Sequence, residues 1–283
     1  MSEITNSNKE NNNEFKDNLN INKNTNINGN ERNDDLNISN LQVEVLPESL
    51  MSKSKTDLTF KLIMLGNAGV GKSSLSLKGT TGRFNENYVA TVAFDFFSFF
   101  TKINGETIRL QIWDTCGMEK TCSLIQNFYK GTSLAILVYA INDTDSFNDV
   151  AVWVKQLRNY AAVDIKMFLI ANKCDLEEQR QISKEEGLKY QKDLDFYRFF
   201  ETSAKSGKNS QEIFIEATKI LYSDFKKKTA KINKISKMKD NNIISGDDYT
   251  IQDANIRQSV GRTSKLSKEL LKKDKKRNRG CCN

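Results

Sequence analysis

The stretch Leu62-Ile63-Met64-Leu65-Gly66-Asn67-Ala68-Gly69-Val70-Gly71-Lys72-Ser73-Ser74 is an apolar run that stops at a glycine-rich turn and restarts as a polar, helix-forming segment. This order predicts a strand, a phosphate loop and a helix. Gly66, Gly71, Lys72 and Ser73 satisfy G-x-x-x-x-G-K-[ST], in which each residue has a physical task in holding a nucleoside triphosphate. Glycines let backbone N–H groups approach phosphate oxygens with no side chain in the way. The candidate contacts are therefore Gly66, Asn67, Ala68, Gly69, Val70, Gly71, Lys72, Ser73 and Ser74. Backbone amides and the positive end of the following helix attract the anion, Lys72 adds a point charge on the outer phosphates, and the Ser73 hydroxyl can ligate Mg²⁺. The competing reading, a glycine-rich strand-to-helix turn that binds nothing, has to account for the complete pattern directly after a strand-like run.

Downstream, residues 94–103 and 107–113 are β-rich runs on either side of Asn104-Gly105, which predicts a hairpin. Residues 134–141 and 165–171 are short and almost wholly apolar, as central parallel strands covered on both faces should be. Between them Phe147, Val150, Val154, Leu157 and Tyr160 recur at helical spacing. A strand at 196–200 precedes Ile213, Ala217, Ile220 and Leu221, one face of a last helix. The alternation implies an α/β fold with a mostly parallel sheet wrapped on both sides and its ligand at the carboxyl ends of the strands.

Composition bounds the folded part. Fifteen of the first forty residues are Asn, with almost no aromatics and no helical or strand period, so residues 1–56 are expected to be a disordered extension. Residues 226–279 carry 17 Lys/Arg against 6 Asp/Glu, a net +11 in a chain whose total is +7. The basic character therefore belongs to a tail, residues 226–283, and the folded domain is expected over 57–225. Charge concentrated beside a chain end suits an anionic membrane surface at least as well as nucleic acid. No apolar run is long enough to span a bilayer, and the N-terminus lacks a signal-peptide order, so a cytosolic or peripherally attached chain is expected. The five cysteines, at 116, 122, 174, 281 and 282, lack zinc-site spacing, and there is no histidine. Reduced thiols are expected.

The phosphate loop does not choose between ATP and GTP. The choice comes from Asn172-Lys173-Cys174-Asp175 after an apolar strand, and from Ser203-Ala204-Lys205 after the last one. Guanine presents an N1–H and an exocyclic amine to which a fixed carboxylate can bind, and adenine has no matching pair. Asp175 is the candidate for that contact, Asn172 can bond the base and brace the loops, the Lys173 stem can lie over the purine, and the Ala204 N–H can reach O6. Such a site rejects the wrong base because its carboxylate would be left unpaired.

From about residue 60 to 221 the chain resembles a small GTPase of the Ras superfamily, most of all the Rab branch. Arg109-Leu110-Gln111-Ile112-Trp113, Phe128-Tyr129-Lys130-Gly131, Leu137-Val138-Tyr139 and the end Gly280-Cys281-Cys282-Asn283 carry the Rab-like detail. The resemblance implies a P-loop NTPase of the small GTPase type, with a six-stranded, mostly parallel sheet and about five helices. It also implies a membrane-traffic switch that alternates between GDP and GTP. Thr91 matches the switch I threonine that binds Mg²⁺ and touches the γ-phosphate. Asp114-Thr115-Cys116-Gly117 matches the D-x-x-G element, in which Asp114 holds the Mg²⁺ shell and the Gly117 amide meets the γ-phosphate. Phe84 matches the aromatic that packs against the base edge.

The sequence departs from the family after Gly117, where Met118 stands in place of the usual Gln that orients the attacking water. A thioether neither donates nor accepts strongly, so slow intrinsic hydrolysis is expected. A weakly or non-hydrolysing GTP-binding scaffold is the alternative, and an ATP-dependent P-loop enzyme a more distant one. Cys116 replaces an Ala, and Lys120-Thr121-Cys122-Ser123 replaces a basic-aromatic segment. Cys116 and Cys122 as a redox pair is opposed by a reducing cytosol.

At the C-terminus, Cys281 and Cys282 do not fit C-a-a-X. The resemblance implies two geranylgeranyl groups there, added with Rab escort and prenylation machinery. Lys272, Lys273, Lys275, Lys276, Arg277 and Arg279 would add attraction to an anionic membrane surface; a nuclear-localisation signal is the competing reading of that cluster. The implied partners are an exchange factor, a TBC-type activating protein and effectors of the GTP form, acting on a monomer at the cytosolic face of intracellular membranes, with no nucleic acid expected.

Overall fold

The apolar runs form strands and the amphipathic stretches form helices. In chain order these are β1 (Glu44–Val45), β2 (Leu58–Leu65), α1 (Lys72–Thr81), β3 (Phe94–Ile103), β4 (Glu106–Thr115), α2 (Gln126–Tyr129), β5 (Leu134–Ala140), α3 (Thr144–Asn148), α4 (Val150–Tyr160), β6 (Lys166–Asn172), α5 (Lys184–Asp193), β7 (Arg198–Glu201) and α6 (Glu212–Asp240). This computed structural model describes residues 38–47, 55–86, 91, 94–116 and 126–240. Nearly all of the Asn-rich stretch, and residues 241–283 with Cys281, Cys282 and the terminal basic cluster, lie outside the described residues. The chain divides into two compact units, 1–39 and 40–283. Only residues 38 and 39 of the first are described, and the sheet belongs to the second.

Among the described residues seven strands form one sheet, in the order β1-β3-β4-β2-β5-β6-β7. The pairs β2 with β4, β2 with β5, β5 with β6, and β6 with β7 are parallel, and β3 joins β4 as an antiparallel hairpin. At the hairpin tip Asn104 (φ 51°) and Gly105 (φ 84°) are both left-handed, the conformation that matches strand twist in a two-residue turn. Every residue of β5 is buried. Ile63 and Leu65 share a core with Trp153 and Leu157 of α4, while Leu62 and Met64, which point to the opposite face, are equally buried. Helices therefore cover both faces. The register pairs Met64 with Asp114, Leu65 with Leu137 and Ala140 with Asn172, so the segments that leave β2, β4 and β6 emerge along one edge.

Six of the strands are those expected. The seventh, β1, lies inside the stretch read as part of the extension and pairs Glu44 with Lys102 and Val45 with Thr101. Leu46 is buried behind it, and its N–H donates to the Phe100 carbonyl at 2.9 Å. The physical reason is the edge of the Phe-rich strand β3, whose open N–H and C=O groups accept another strand. A short apolar-polar-apolar alternation, Val43-Glu44-Val45, supplies it.

Helix α6 also runs further than expected. Its buried face is Ile213, Phe214, Ala217, Ile220 and Leu221, but it continues past residue 225 to Asp240. Lys226 and the Tyr222 hydroxyl meet Glu106 at 2.5 and 2.7 Å, Lys166 meets Asp224 at 2.7 Å, and Lys228 meets Asp164 at 3.0 Å. The Phe225 ring packs edge-on to Phe60. Such half-buried to exposed surface ion pairs are individually weak, yet they fix the direction in which the helix leaves the domain. The start of the stretch read as a basic tail from residue 226 is therefore a helical rod rising about 1.5 Å per residue as far as Asp240.

Candidate nucleotide-binding site

The loop after β2 needs its glycines. Gly66 (φ 139°) passes so close to β5 that a Cβ would stand 2.1 Å from the Val138 carbonyl oxygen, and a Cβ on Gly71 (φ 93°) would stand 2.5 Å from Nδ2 of Asn172. Gly71 is the N-cap of α1, with no side-chain cap and no acidic residue in the first turn, so the amides there suit an anionic ligand. Lys72 is buried and reaches back across the loop, its Nζ donating to the carbonyls of Gly66 (2.8 Å) and Asn67 (3.0 Å). Ala68 and Gly69 form the exposed lip, Val70 is buried, and Ser74 is half-buried.

Ser73 leads to the second corner. Its hydroxyl donates to Oδ2 of Asp114 and lies 2.7 Å from the hydroxyl of Thr91. Asp114 is fully buried at the end of β4, beside Thr115, whose hydroxyl is tied to the Met64 carbonyl at 2.7 Å. Two hydroxyls and one carboxylate form a set of hard oxygen donors that fits Mg²⁺ sharing its shell with phosphate and water. Among the described residues no group of three His, Cys, Asp or Glu side chains gathers to hold a metal by itself. Gly117 and Met118 lie outside the described residues, as do Cys122 and the segment at 120–123. Cys116 is a half-buried free thiol.

The third corner joins three loops through one amide. Asn172, 1 % exposed, donates from Nδ2 to the Val70 carbonyl at 2.9 Å and accepts the Thr202 hydroxyl at Oδ1 at 3.0 Å. Lys173 takes a left-handed φ of 64°, and the Cys174 N–H then donates to the Thr202 carbonyl at 3.0 Å. Burial pushes the Cys174 thiol up from its ordinary range. Asp175 is exposed, with one carboxylate oxygen accepting the buried Ser203 hydroxyl at 2.6 Å. Ala204 is buried beside it, and exposed Lys205 approaches Glu86 at 3.7 Å, two residues beyond half-buried Phe84.

Arg180 and Thr202 were not singled out from the sequence. Arg180 grips Glu177 through two bonds of 2.8 and 2.7 Å, meets Glu201 at 2.9 Å, and donates to the Ile182 carbonyl at 3.0 Å. It thereby ties the segment following Asp175 to the end of β7. Its only sequence signal is an Arg shortly after N-K-x-D, which by itself is bland.

Beside the first two corners lies an aromatic patch. Phe94 and Phe96 are 47 % and 43 % exposed, and both rings meet Trp113 at 5.6 Å between centroids; Phe128 meets Phe94 at 5.2 Å and Trp113 at 5.6 Å. Contiguous exposed aromatics mark a surface for a partner. Lys61 lies behind it, with Nζ 4.9 Å from the Trp113 centroid and donating to the carbonyls of Phe128 (2.5 Å) and Lys130 (3.2 Å). Burial pulls its pKa down to about 8. Because the folded value lies below the unfolded one, the unfolded chain binds more protons between about pH 8 and 10, and this group makes stability rise across that window. Lys61→Met is expected to flatten that rise, as read from urea midpoints at pH 7.5, 8.5 and 9.5; identical slopes would refute it.

A model of the Ras family matches residues 61–223. Among curated relatives, Ras-related protein Rab-13 of Canis lupus familiaris is 38% identical over 56% of this chain and 77% of its own length. Ras-related protein Rab-30 of Homo sapiens is 36% identical over 66% of this chain and 91% of its own, and Ras-related protein Rab-8 of Diplobatis ommata is 36% identical over 61% and 81%. The family model covers more than half of the chain and the relatives are Rab proteins: the chain belongs to the Ras family of small GTPases and is Rab-like.

Proposed function

We propose that this chain is a GTP-dependent switch of vesicle traffic, anchored to membranes by its C-terminus. The observation that carries this is the convergence of the loop of 66–74, the Ser73–Thr91–Asp114 oxygens and the Asn172–Asp175–Ser203 corner at one sheet edge, with the aromatic patch beside it. In this reading the loop amides and Lys72 grip the phosphates, and Asp175 selects guanine while Asn172, Lys173, Ala204, Lys205 and Phe84 enclose it. Ser73, Thr91 and Asp114 hold Mg²⁺, which when bound supplies charge neutralisation at the β- and γ-phosphate oxygens. Thr91 and the Gly117 amide sense the γ-phosphate. Their segments flank Phe94, Phe96 and Trp113, so loss of that phosphate alters the surface an effector reads.

The proposed organisation is an extension at 1–56, from which Glu44–Val45 adds an edge strand to the sheet, a GTP-binding domain at 57–225, and a basic tail at 226–283 whose first part continues α6. No helix among the described residues is long and apolar enough to cross a membrane. Attachment is assigned to lipids on Cys281 and Cys282, with the nearby lysines and arginines adding affinity for anionic headgroups, since one lipid chain holds only marginally. Exchange factors, TBC-type activating proteins, effectors and the prenylation machinery are the proposed partners. The test is to fractionate cells expressing the tagged full chain or its Cys281→Ser/Cys282→Ser variant. The parent is expected in the membrane fraction and the variant in the soluble one. A variant that still pellets with membranes overturns the anchoring. The scaffold reading is supported by Met118 alone and is separated by hydrolysis rates.

A further inference from the structure

We infer that Asp149 and Trp153, at the start of α4, are positioning residues for the phosphate loop and act through the side chain of Asn67. The inference rests on the reading of this pocket as a guanine-nucleotide site and adds to it a device on a different element. Asn67 uses its carboxamide in both directions: Nδ2 donates to Oδ2 of Asp149 at 2.6 Å, and Oδ1 accepts the Trp153 indole N–H at 3.2 Å. The main-chain carbonyl of the same residue accepts the Lys72 ammonium at 3.0 Å. One residue thus links α4 to the cation that serves the outer phosphates.

The far end of the clamp is rigid. Trp153 is fully buried in the core that also holds Ile63 and Leu65 of β2. The Asp149 carbonyl accepts the N–H groups of Val152 (2.9 Å) and Trp153 (3.2 Å), and its N–H donates to the Asp145 carbonyl at 3.0 Å. The near end is the loop whose backbone must stay open to phosphate. A carboxamide satisfies both, with its N–H donating to the carboxylate on one side and its oxygen accepting the indole N–H on the other. Aspartate at 67 would set two carboxylates against each other, and alanine would leave the loop without its brace to α4. A displaced carbonyl at 67 misdirects Lys72, so the penalty falls on the outer phosphates and not on the base.

The test uses the full chain loaded with a fluorescent GDP analogue. Asn67→Asp is expected to speed its release about tenfold, the loss of a hydrogen bond to a charged group. Asp149→Asn alone is expected to change release little, because the carboxamide oxygen can still accept. Combining the two re-forms the bridge with its polarity reversed and is expected to return release to within about threefold of the parent. A double variant as fast as Asn67→Asp, or an Asn67→Asp variant indistinguishable from the parent, overturns the inference. Competition by GMP, which lacks the outer phosphates, is expected to be equal across the set, whereas a general loosening of the fold would weaken GMP as well. Should Asn67→Asp not fold, the cycle of Asn67→Ala and Asp149→Ala carries no repulsion: non-additive effects on release are expected, and additive ones overturn the clamp. A parent chain that holds no guanine nucleotide would remove the functional reading, whereas a parent that holds it with unchanged release in every variant would remove only the clamp.

Discussion

Asp175→Ala is expected to weaken GDP and GTP binding by about a thousandfold and to erase the preference for guanine over adenine nucleotides. A site built to pair with a base's own donors discriminates by roughly four to five decades, because the wrong base leaves its polar groups unmatched. Asp175 is exposed, so part of that discrimination is softened by water, and about three decades is the expected share. The Ser203 hydroxyl at 2.6 Å fixes one carboxylate oxygen, which orients the group before any ligand arrives. Competition of GTP and ATP against a fluorescent GDP analogue reads both quantities. If the parent binds ATP as tightly as GTP, or if Asp175→Ala keeps its selectivity, the guanine assignment is wrong. Stability should fall by about 1 kcal/mol, because the exposed carboxylate is the acceptor of the buried Ser203 hydroxyl.

The elements that the sequence made legible are those whose physics is local. The buried runs of β5 and β6 announce themselves by being apolar throughout, and Asn104-Gly105 announces a two-residue turn. The phosphate loop and the N-K-x-D corner are legible for the same reason, since each packs its chemistry into a few consecutive residues. Partners that meet only in three dimensions were hidden. Asn67 and Trp153 stand 86 residues apart, and Asn172 and Val70 stand 102 apart. Asn172 was legible as the first residue of N-K-x-D, but nothing near Asn67, Val70 or Trp153 in the sequence names the partner that each one meets. Strand β1 was masked by a compositional average dominated by Asn, and it exists because β3 offers an edge. The extension of α6 was masked by its lysines, which read as a solvated tail although lysine is a good helix former once a buried turn has nucleated the helix.

Met118→Gln is expected to raise the single-turnover rate of GTP hydrolysis about ten- to a hundredfold. The residue follows Gly117, whose amide is assigned to the γ-phosphate, and stands at the sequence position where the family usually carries the Gln that orients the attacking water. A glutamine there can accept a hydrogen bond from that water and donate to the charge spreading over the transferred phosphoryl group, whereas a thioether does neither well. Each decade corresponds to about 1.4 kcal/mol of transition-state stabilisation, within reach of one or two such hydrogen bonds. Nucleotide affinity should be unchanged, because the interaction develops only as the reaction proceeds. The measurement is phosphate release from protein preloaded with GTP, and equal rates in the two proteins would remove the explanation. Repeating it with TBC-type activating proteins separates the two functional readings. Such proteins bring their own Arg and Gln, so a switch containing Met118 should still be accelerated, while a scaffold whose state is set by nucleotide supply should not respond. Slow turnover without a partner, together with normal stimulation by one, would mean that the lifetime of the GTP form in this chain is decided outside it.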